Sequence, residues 1–371
     1  MKIGKLEKKS MGNPQLIWQV GTAYDMILSL HVLYEPERYG LRGAWAAGVR
    51  SRLPAEEREF FQRNSAFLWP LDFLHELPLP QDGAVLLATL AALPVRERLP
   101  VMASFPQKPG REMNEMLQRV AAQGSWDDAD YASLRAWMVQ HRSSPPSKKD
   151  VVALLDMWSR PEAFGELILS GLEAYYEAFF AEEEARIRPA LAEAVAQGQA
   201  LAAGMPLLAL LEELSQGLRL EALPEVTQMV MVPSFWITPL IIEYPLRTGQ
   251  ELFVFGARPG DASLVPGEFV PDALYQALKA LADPTRLRIL HYLTDEPSSP
   301  SRLARRLRLR APTVVHHLHV LRLARLVHLT MGAEGKRRYT VRPGAVEATF
   351  AALKLFMEQE DDEGNGPPGD S

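Results

Sequence analysis

The chain of 371 residues contains no cysteine. This absence excludes disulfide bonds and thiolate-ligated metal sites, and it is typical of a protein kept in a reducing cytoplasm. Long apolar runs are also missing, because charged residues or prolines interrupt each run before the roughly 18 residues that a membrane span needs. The basic residues 1–15 are not followed by the apolar core of a secretory signal, and we expect them to form a flexible tail. These absences favour a cytoplasmic protein with no membrane partner.

Charge is present but unevenly distributed. The whole chain has a formal net charge of −6. Residues 271–345 hold 14 Lys and Arg against 5 Asp and Glu, a net charge of +9, which leaves −15 for the remainder. Five of the eight histidines lie in the same segment. A basic segment on an acidic body is the charge distribution expected of a protein that binds nucleic acid.

The basic segment opens with a strong helical signal. Asp283 has the side chain of a good N-cap, and Pro284 suits the first helical position because its missing N–H is not needed there. The helical period then predicts one apolar face on this helix, formed by Leu287, Leu290 and Leu293.

A second pair of helices is predicted after the proline- and serine-rich residues 297–300. The first is short and rich in arginine, and the next begins near Pro312 after a tight turn. On this last helix, the apolar positions fall at i, i+4 and i+7 and must face a core: Val314, Leu318 and Leu321. Its outward face carries Thr313, His316 and His319. A recognition helix enters the major groove of DNA in this arrangement.

A hairpin pattern completes the segment. Residues 326–330 and 336–341 predict two strands joined by a glycine-containing loop. Three adjacent cations stand at its tip: Lys336, Arg337 and Arg338. Such a cluster suits phosphate groups and not a core.

These features together resemble the winged helix-turn-helix of the ArsR family of bacterial transcription regulators. The resemblance covers about a fifth of the chain. It is carried by residues 281–290 (LADPTRLRIL), Leu303-Ala304, Leu307, Pro312-Thr313-Val314, His317-Leu318, Val320-Leu321, Ala324, Leu326-Val327 and Gly335 to Tyr339. The chain departs from the family where Arg310 replaces a capping Ser, Val315 replaces a polar residue and Arg325 replaces a Gly.

The resemblance implies a transcriptional repressor that binds operator DNA as a homodimer. It implies dimer contacts through the helix from Asp272 to Ala282 and through a closing helix from Ala345. We expect double-stranded DNA to be contacted by Arg310, Thr313, His316, His317, His319, Arg322, Lys336, Arg337 and Arg338. The alternative is a solvated helix face, a hairpin made soluble by its cations and, for His317, a buried histidine.

Metal sensing occurs in many members of that family. Their sites use cysteines on a helix of the DNA-binding unit, or His, Asp and Glu on the closing helix. This chain has no cysteine, and residues 345–358 contain no histidine. We therefore predict neither a metal nor a cofactor.

The fold class predicted from these patterns is mainly α. We expect a flexible tail (1–15), a helical domain (16–265) with short strands near 228–255, a winged helix-turn-helix domain with its closing helix (271–359) and a disordered acidic tail (360–371). Within the helical domain, long helices are predicted over 166–193 and 202–218, and strands over 229–232, 236–244 and 251–255.

The helical domain has no motif that identifies a reaction. It lacks a phosphate-binding glycine loop and a nucleophile elbow, so we do not predict an enzyme. Its aromatic side chains would either line the pocket of a small-molecule effector or fill the core: Trp18, Tyr24, His31, Tyr34, Trp45, Phe235 and Trp236. The alternative functions are an enzymatic or ligand-binding domain tethered to a winged unit that serves for localisation or protein interaction.

Overall fold

A computed structural model describes residues 13–105, 107–141, 145–223, 225–246, 249–332 and 336–358. The prediction of a mainly α protein is confirmed, since helices dominate and the strands form two small sheets. Most of the predicted N-terminal tail and all of the predicted acidic tail lie outside these residues. The chain divides into two compact units, residues 1–210 with 224–258 and residues 211–223 with 259–371. Within the described ranges, no helix is long and apolar enough to cross a membrane.

The chain up to residue 258 is mostly helical. Its elements are β1 (Gln15–Trp18), α1 (Thr22–Tyr34), α2 (Pro36–Tyr39), α3 (Gly43–Arg50), α4 (Ala55–Asn64), a 3₁₀ helix (Ser65–Phe67), α5 (Leu71–Glu76), α6 (Gly83–Ala92), α7 (Val95–Ala103), α8 (Gln107–Gln123), α9 (Asp128–His141), α10 (Lys148–Trp158), α11 (Pro161–Tyr175), a π-helical turn (Tyr176–Phe180), α12 (Ala181–Gly204), α13 (Leu207–Leu214), β2 (Leu218–Leu220), β3 (Gln228–Ser234), β4 (Ile242–Pro245) and β5 (Gln250–Gly256).

The sheet of the first unit has the strand order β1-β3-β5-β4. β3 is parallel to β1 and β5, and β4 runs antiparallel to β5. The strands predicted at 229–232 and 251–255 are confirmed in β3 and β5. β1 was not predicted, because its partner lies more than 200 residues further along the chain. The sheet therefore joins the start of this unit to its end.

A buried carboxylate shapes the turn after β3, where the sequence had predicted strand. The Asp25 carboxylate accepts hydrogen bonds from the backbone N–H of Phe235 at 3.1 Å and of Trp236 at 3.2 Å. Burial raises the pKa of Asp25 to about 6. The prediction of strand over 236–244 is wrong up to residue 241, because these backbone groups are turned toward Asp25 and only Ile242–Pro245 pair in the sheet.

The predicted helix over 202–218 is divided and ends early, because α12 ends at Gly204 and α13 begins at Leu207. α13 ends at Leu214, and the Ser215 hydroxyl then accepts from the backbone N–H of Leu218 at 3.0 Å. Gly217 has a φ of +114°, a left-handed value that glycine adopts without steric cost. Leu218–Leu220 follow as strand β2, which belongs to the second unit.

The second unit contains the basic segment. After residues 211–223 it comprises α14 (Asp272–Leu281), α15 (Pro284–Asp295), α16 (Pro300–Leu307), α17 (Ala311–Leu323), β6 (Val327–Met331), β7 (Arg337–Val341) and α18 (Ala345–Glu358). Its sheet has the order β2-β6-β7, with β2 parallel and β7 antiparallel to β6. Helix, turn, helix and hairpin follow in the predicted order.

The core of this unit explains how the helices are fixed. Asp283 caps α15 as predicted, because its Oδ1 accepts from the backbone N–H of Arg286 at 2.9 Å. The prediction for Leu287 is wrong, since this side chain is 48% exposed whereas Ile289 is fully buried. At about 100° per residue, Leu287 lies roughly 160° around the helix from Ile289. The other predicted core positions of α15 and α17 are confirmed as buried: Leu290, Leu293, Val314, Leu318 and Leu321.

Candidate nucleic-acid interface

One apolar face of α17 packs in the core, and this packing determines which side chains of the helix are exposed to solvent. Val314, Leu318 and Leu321 are fully buried in the core of the second unit. Thr313 and His316 are exposed on the other side of the first turns. His319, one turn further along the helix, is half-buried. The N-terminal half of α17 therefore presents hydrogen-bonding groups on a surface about the width of one helix, which matches what a major groove admits.

His317 lies at the edge of the core. Its side chain is half-buried, and its Nδ1 has no hydrogen-bond partner among the described residues. Burial lowers the pKa of His317, and the neighbouring Asp283 carboxylate opposes that shift. The imidazole is therefore disposed to be neutral, between the start of α15 and the outer face of α17.

The arginines of α16 and of the turn that follows it fall into two groups, and the first is engaged with acidic or aromatic side chains. Arg302 pairs with Glu296 at 2.5 Å. Arg306 lies 3.5 Å from the Asp295 carboxylate, and its guanidinium carbon stands 3.9 Å from the centre of the Tyr292 ring. These two arginines connect α16 to the end of α15.

The second group is open to solvent. The side chains of Arg305, Arg308 and Arg310 are exposed and form no ion pair within the described part of the chain. Arg310 occupies the N-cap position of α17 without a side-chain capping bond. Three exposed guanidinium groups therefore surround the turn between α16 and α17, where an anionic partner would relieve their mutual repulsion.

The wing is held at its base and carries its charge at the tip. Tyr339 is buried in the core, and its backbone N–H donates to Ser298 O at 2.9 Å. The side chains of Lys336, Arg337 and Arg338 are exposed, as expected for phosphate contacts. Successive strand residues point to opposite faces, so Arg337 and Arg338 spread their charges to either side of the hairpin. Residues 333–335 of the loop lie outside the described ranges.

Arg322 does not lie where a DNA contact requires it. Its side chain is buried, with the residue only 7% exposed. The guanidinium donates to the backbone oxygens of Ser215 at 2.5 Å and of Gln216 at 2.9 Å. Burial lowers the pKa of Arg322 to about 10, so the group is still a cation at neutral pH. The expected DNA contact is corrected to a structural role, because residues 211–223 cover this flank of α17.

Residues 211–223 belong to the second unit, although the sequence pattern placed them in the helical domain. Strand β2 pairs with β6 in the register Leu218 to Leu329, and Leu329 N donates to Gly217 O at 2.9 Å. Arg219 pairs with Glu212 at 2.6 Å across the turn that leads into the strand. A three-residue strand with a partner more than 100 residues away leaves no local signal in the sequence.

His328 on β6 lies beneath this segment. We expect it to make the unfolding free energy of the second unit fall in acid. Burial lowers its pKa to about 4, and Arg219 acts in the same direction, while Glu212, whose carboxylate lies 3.4 Å from Nδ1, opposes them. The neutral form is therefore favoured in the fold. Its stabilisation is present above pH 6.5 and is lost as the pH falls toward 4, by roughly 1–2 kcal/mol after solvent screening.

The test compares the wild-type chain with His328→Gln. Urea unfolding of both at pH 7, 5.5 and 4.5 should show a smaller loss of unfolding free energy in the variant. The difference between the two chains isolates His328, because His31, with a pKa lowered to about 4 by burial, and Asp25 titrate equally in both. Parallel pH profiles would contradict the prediction.

Most of the aromatic residues named for an effector pocket contact other aromatic rings. Tyr24 and Trp236 are fully buried, and Trp45 stacks on Trp236 with ring centroids 6.3 Å apart. His31 is buried, its Nε2 lies 2.8 Å from Leu68 O, and its ring stacks on Trp69. This arrangement is that of a packed core.

Helix α17 carries three closely spaced histidines, His316, His317 and His319. The rings of His316 and His317 are 6.0 Å apart and tilted by 59°. Within the described residues, no group of three His, Cys, Asp or Glu side chains is placed to hold a metal ion.

Comparison with known proteins supports the assignment of the second unit. Residues 281–330 match the model of a helix-turn-helix domain family. The match begins before α15 and ends in β6, so it includes both helices of the motif and the first strand of the wing. No curated protein and no solved structure matches the chain. The second unit therefore contains a helix-turn-helix of the kind that binds DNA.

Proposed function

We propose that this protein is a transcription regulator of the ArsR type whose second unit binds operator DNA. The observation that carries the proposal is the anchoring of α17, which buries one apolar face and leaves Thr313 and His316 exposed. In the proposed complex the N-terminal half of α17 enters the major groove. The exposed arginines around its first turn and the cations of the wing contact phosphates on either side.

We further propose that the regulator acts as a homodimer in the cytoplasm. Two apolar side chains exposed on the same face of α18 support a dimer face: Phe350 (56% exposed) and Met357 (74%). Contiguous exposed apolar surface is costly in water and typically marks an interface. A symmetric dimer would place two copies of α17 about 34–36 Å apart, one turn of DNA. Occupying an operator in this way would block transcription, which makes a repressor the proposed role.

The proposal assigns the first unit a modulating role and no catalytic one. Residues 211–223 support this, because the chain reaches them between two stretches of the first unit while they belong to the second. A change in the first unit would then reach β2, and through β2 the wing. A ligand can drive such a change only if it binds the two states with unequal affinity.

The recognition role of α17 is tested by selection from a pool of random duplexes. The full-length protein should enrich a two-fold symmetric sequence, and His316→Ala should relax the preference at one or two base pairs of each half-site, by roughly 5- to 100-fold. Its affinity for unrelated duplex should change little. His291→Ala is the matched control, since this histidine is exposed on α15 of the same unit.

Two outcomes would contradict the proposal. One is an equal loss of preference in both histidine variants. The other is weak affinity for duplex DNA that does not depend on salt, which would favour a protein-interaction role for the winged unit.

A further inference from the structure

The second unit contains a cavity that DNA binding does not use. Its volume is about 530 Å³, within the range of small-molecule sites. The walls are α14 and α18, and most of the lining is small and apolar: Leu274, Ala277, Ala348, Ala352 and Phe356. Such walls let an apolar body lie against two helices at once, and burying it there removes apolar surface from water.

Helix α18 has two separate apolar faces, and only one of them lines the cavity. Ala348, Ala352 and Phe356 lie on the cavity face. At about 100° per residue, Phe350 points roughly 160° away from Ala352. Phe350 and Met357 are exposed on that other face. The proposed dimer contacts of Phe350 and Met357 therefore leave the cavity face free for a different occupant.

Arg342 gives the cavity a charge preference. Arg325 and Arg342 are both in the lining, and the backbone N–H of Arg342 donates to the oxygen of Leu326, the residue after Arg325, at 2.9 Å. The Arg342 side chain forms no ion pair within the described part of the chain. Its positive charge also contributes to lowering the pKa of the buried Arg322. The one carboxylate in the lining belongs to Asp261, which is exposed to solvent.

We infer that this cavity is an effector site for an organic carboxylate with an apolar body. The carboxylate would pair with Arg342, for which a planar guanidinium offers two parallel hydrogen bonds. The apolar body would lie between α14 and α18. A cationic or purely polar molecule fits poorly, because it would either meet like charge or leave the apolar walls unsatisfied.

The regulatory consequence of this site rests on the proposed function. Occupation would set the separation of α14 and α18, and α18 also carries the proposed dimer face. A carboxylate that favours one separation would change the spacing of the two copies of α17 and hence the affinity for operator DNA. Binding of the carboxylate itself does not depend on that proposal.

The test uses the full-length protein and octanoate, with octylammonium and acetate as matched probes. Calorimetric titration without DNA should show binding of octanoate, and at least tenfold weaker binding of the probe with the opposite head group and of the probe without an apolar body. Arg342→Ala should weaken octanoate binding by at least tenfold. Ala352→Phe should weaken it similarly by filling the cavity. Arg288→Ala, an exposed arginine of the same unit outside the lining, should leave it unchanged.

The titrations contain no DNA, so their results test the carboxylate site independently of DNA binding. Octanoate affinity that survives both cavity variants, or equal affinity for octylammonium, would overturn it, and so would the absence of binding. Two cavity variants keep the test valid if one of them unfolds, which a thermal melt detects. A parallel DNA titration without octanoate tests the proposed function, so failure of one is distinguishable from failure of the other.

Discussion

Replacing Lys336, Arg337 and Arg338 together by alanine is expected to weaken DNA binding by about two orders of magnitude near 0.15 M salt. Each phosphate contact contributes about 0.9 to the slope of log affinity against log salt concentration, so three lost contacts lower that slope by about 2.7. The loss should be similar for operator and unrelated duplexes, because phosphate contacts carry no direct sequence information. Fluorescence anisotropy titrations at four or five salt concentrations measure both quantities.

The control for this variant removes the same charge from the first unit. Arg96, Arg135 and Lys149 are exposed there, and replacing all three by alanine makes an equal change in net charge. It should alter the slope by much less than the wing variant. If the two triple variants behaved alike, the effect would come from net charge and the wing would have no place in the interface.

The second large effect is expected at Arg322. Arg322→Met should lower the unfolding free energy of the second unit by about 3 kcal/mol, because it leaves the buried carbonyl oxygen of Ser215 and the half-buried one of Gln216 without their donor. The change also removes the cation that fixes residues 211–223 against α17. Hydrogen exchange read by mass spectrometry should therefore show faster exchange in that segment than in the helices of the same unit.

The measurement separates a structural role from a contact with DNA. Arg288→Met serves as control, since Arg288 is exposed and its loss should cost little stability. If Arg322→Met left stability and hydrogen exchange unchanged but weakened DNA binding, the original prediction that Arg322 contacts DNA would be correct. Urea unfolding and a DNA titration on the same preparations decide between the two.

Local signals in the sequence account for most of the second unit. The cap at Asp283 follows from the side chain and its position before Pro284, and the buried face of α17 follows from the spacing of Val314, Leu318 and Leu321. Leu287 was wrongly predicted to be buried, because its spacing from Leu290 and Leu293 also fits an apolar face. The buried face of α15 is instead the one that carries Ile289. In each case, neighbouring residues on the same helix determine which side chain is buried or caps the helix. Helical periodicity carries information over this short range.

The remaining differences come from contacts between distant residues. Neither β1 nor β2 could be recognised, because three or four residues become a strand only when a partner is supplied from far along the chain. The same distance effect hid the role of Arg322, whose acceptors lie more than 100 residues earlier. The turn at 235–241 depended on Asp25, a single buried acid on another helix. A sequence pattern shows that a side chain is polar, but not which buried group it will satisfy.

The position of β2 in the sheet of the wing determines how the second unit can be expressed as a separate fragment. A fragment that begins at residue 259 would leave out Leu218–Leu220 and so strip the outer edge of β6 of its neighbour. Bare strand edges of this kind recruit other chains and lead to aggregation. A fragment that represents the second unit must therefore contain residues 211–223 joined by a new linker to the chain from residue 259. Only such a fragment can be expected to bind DNA as the full-length protein does.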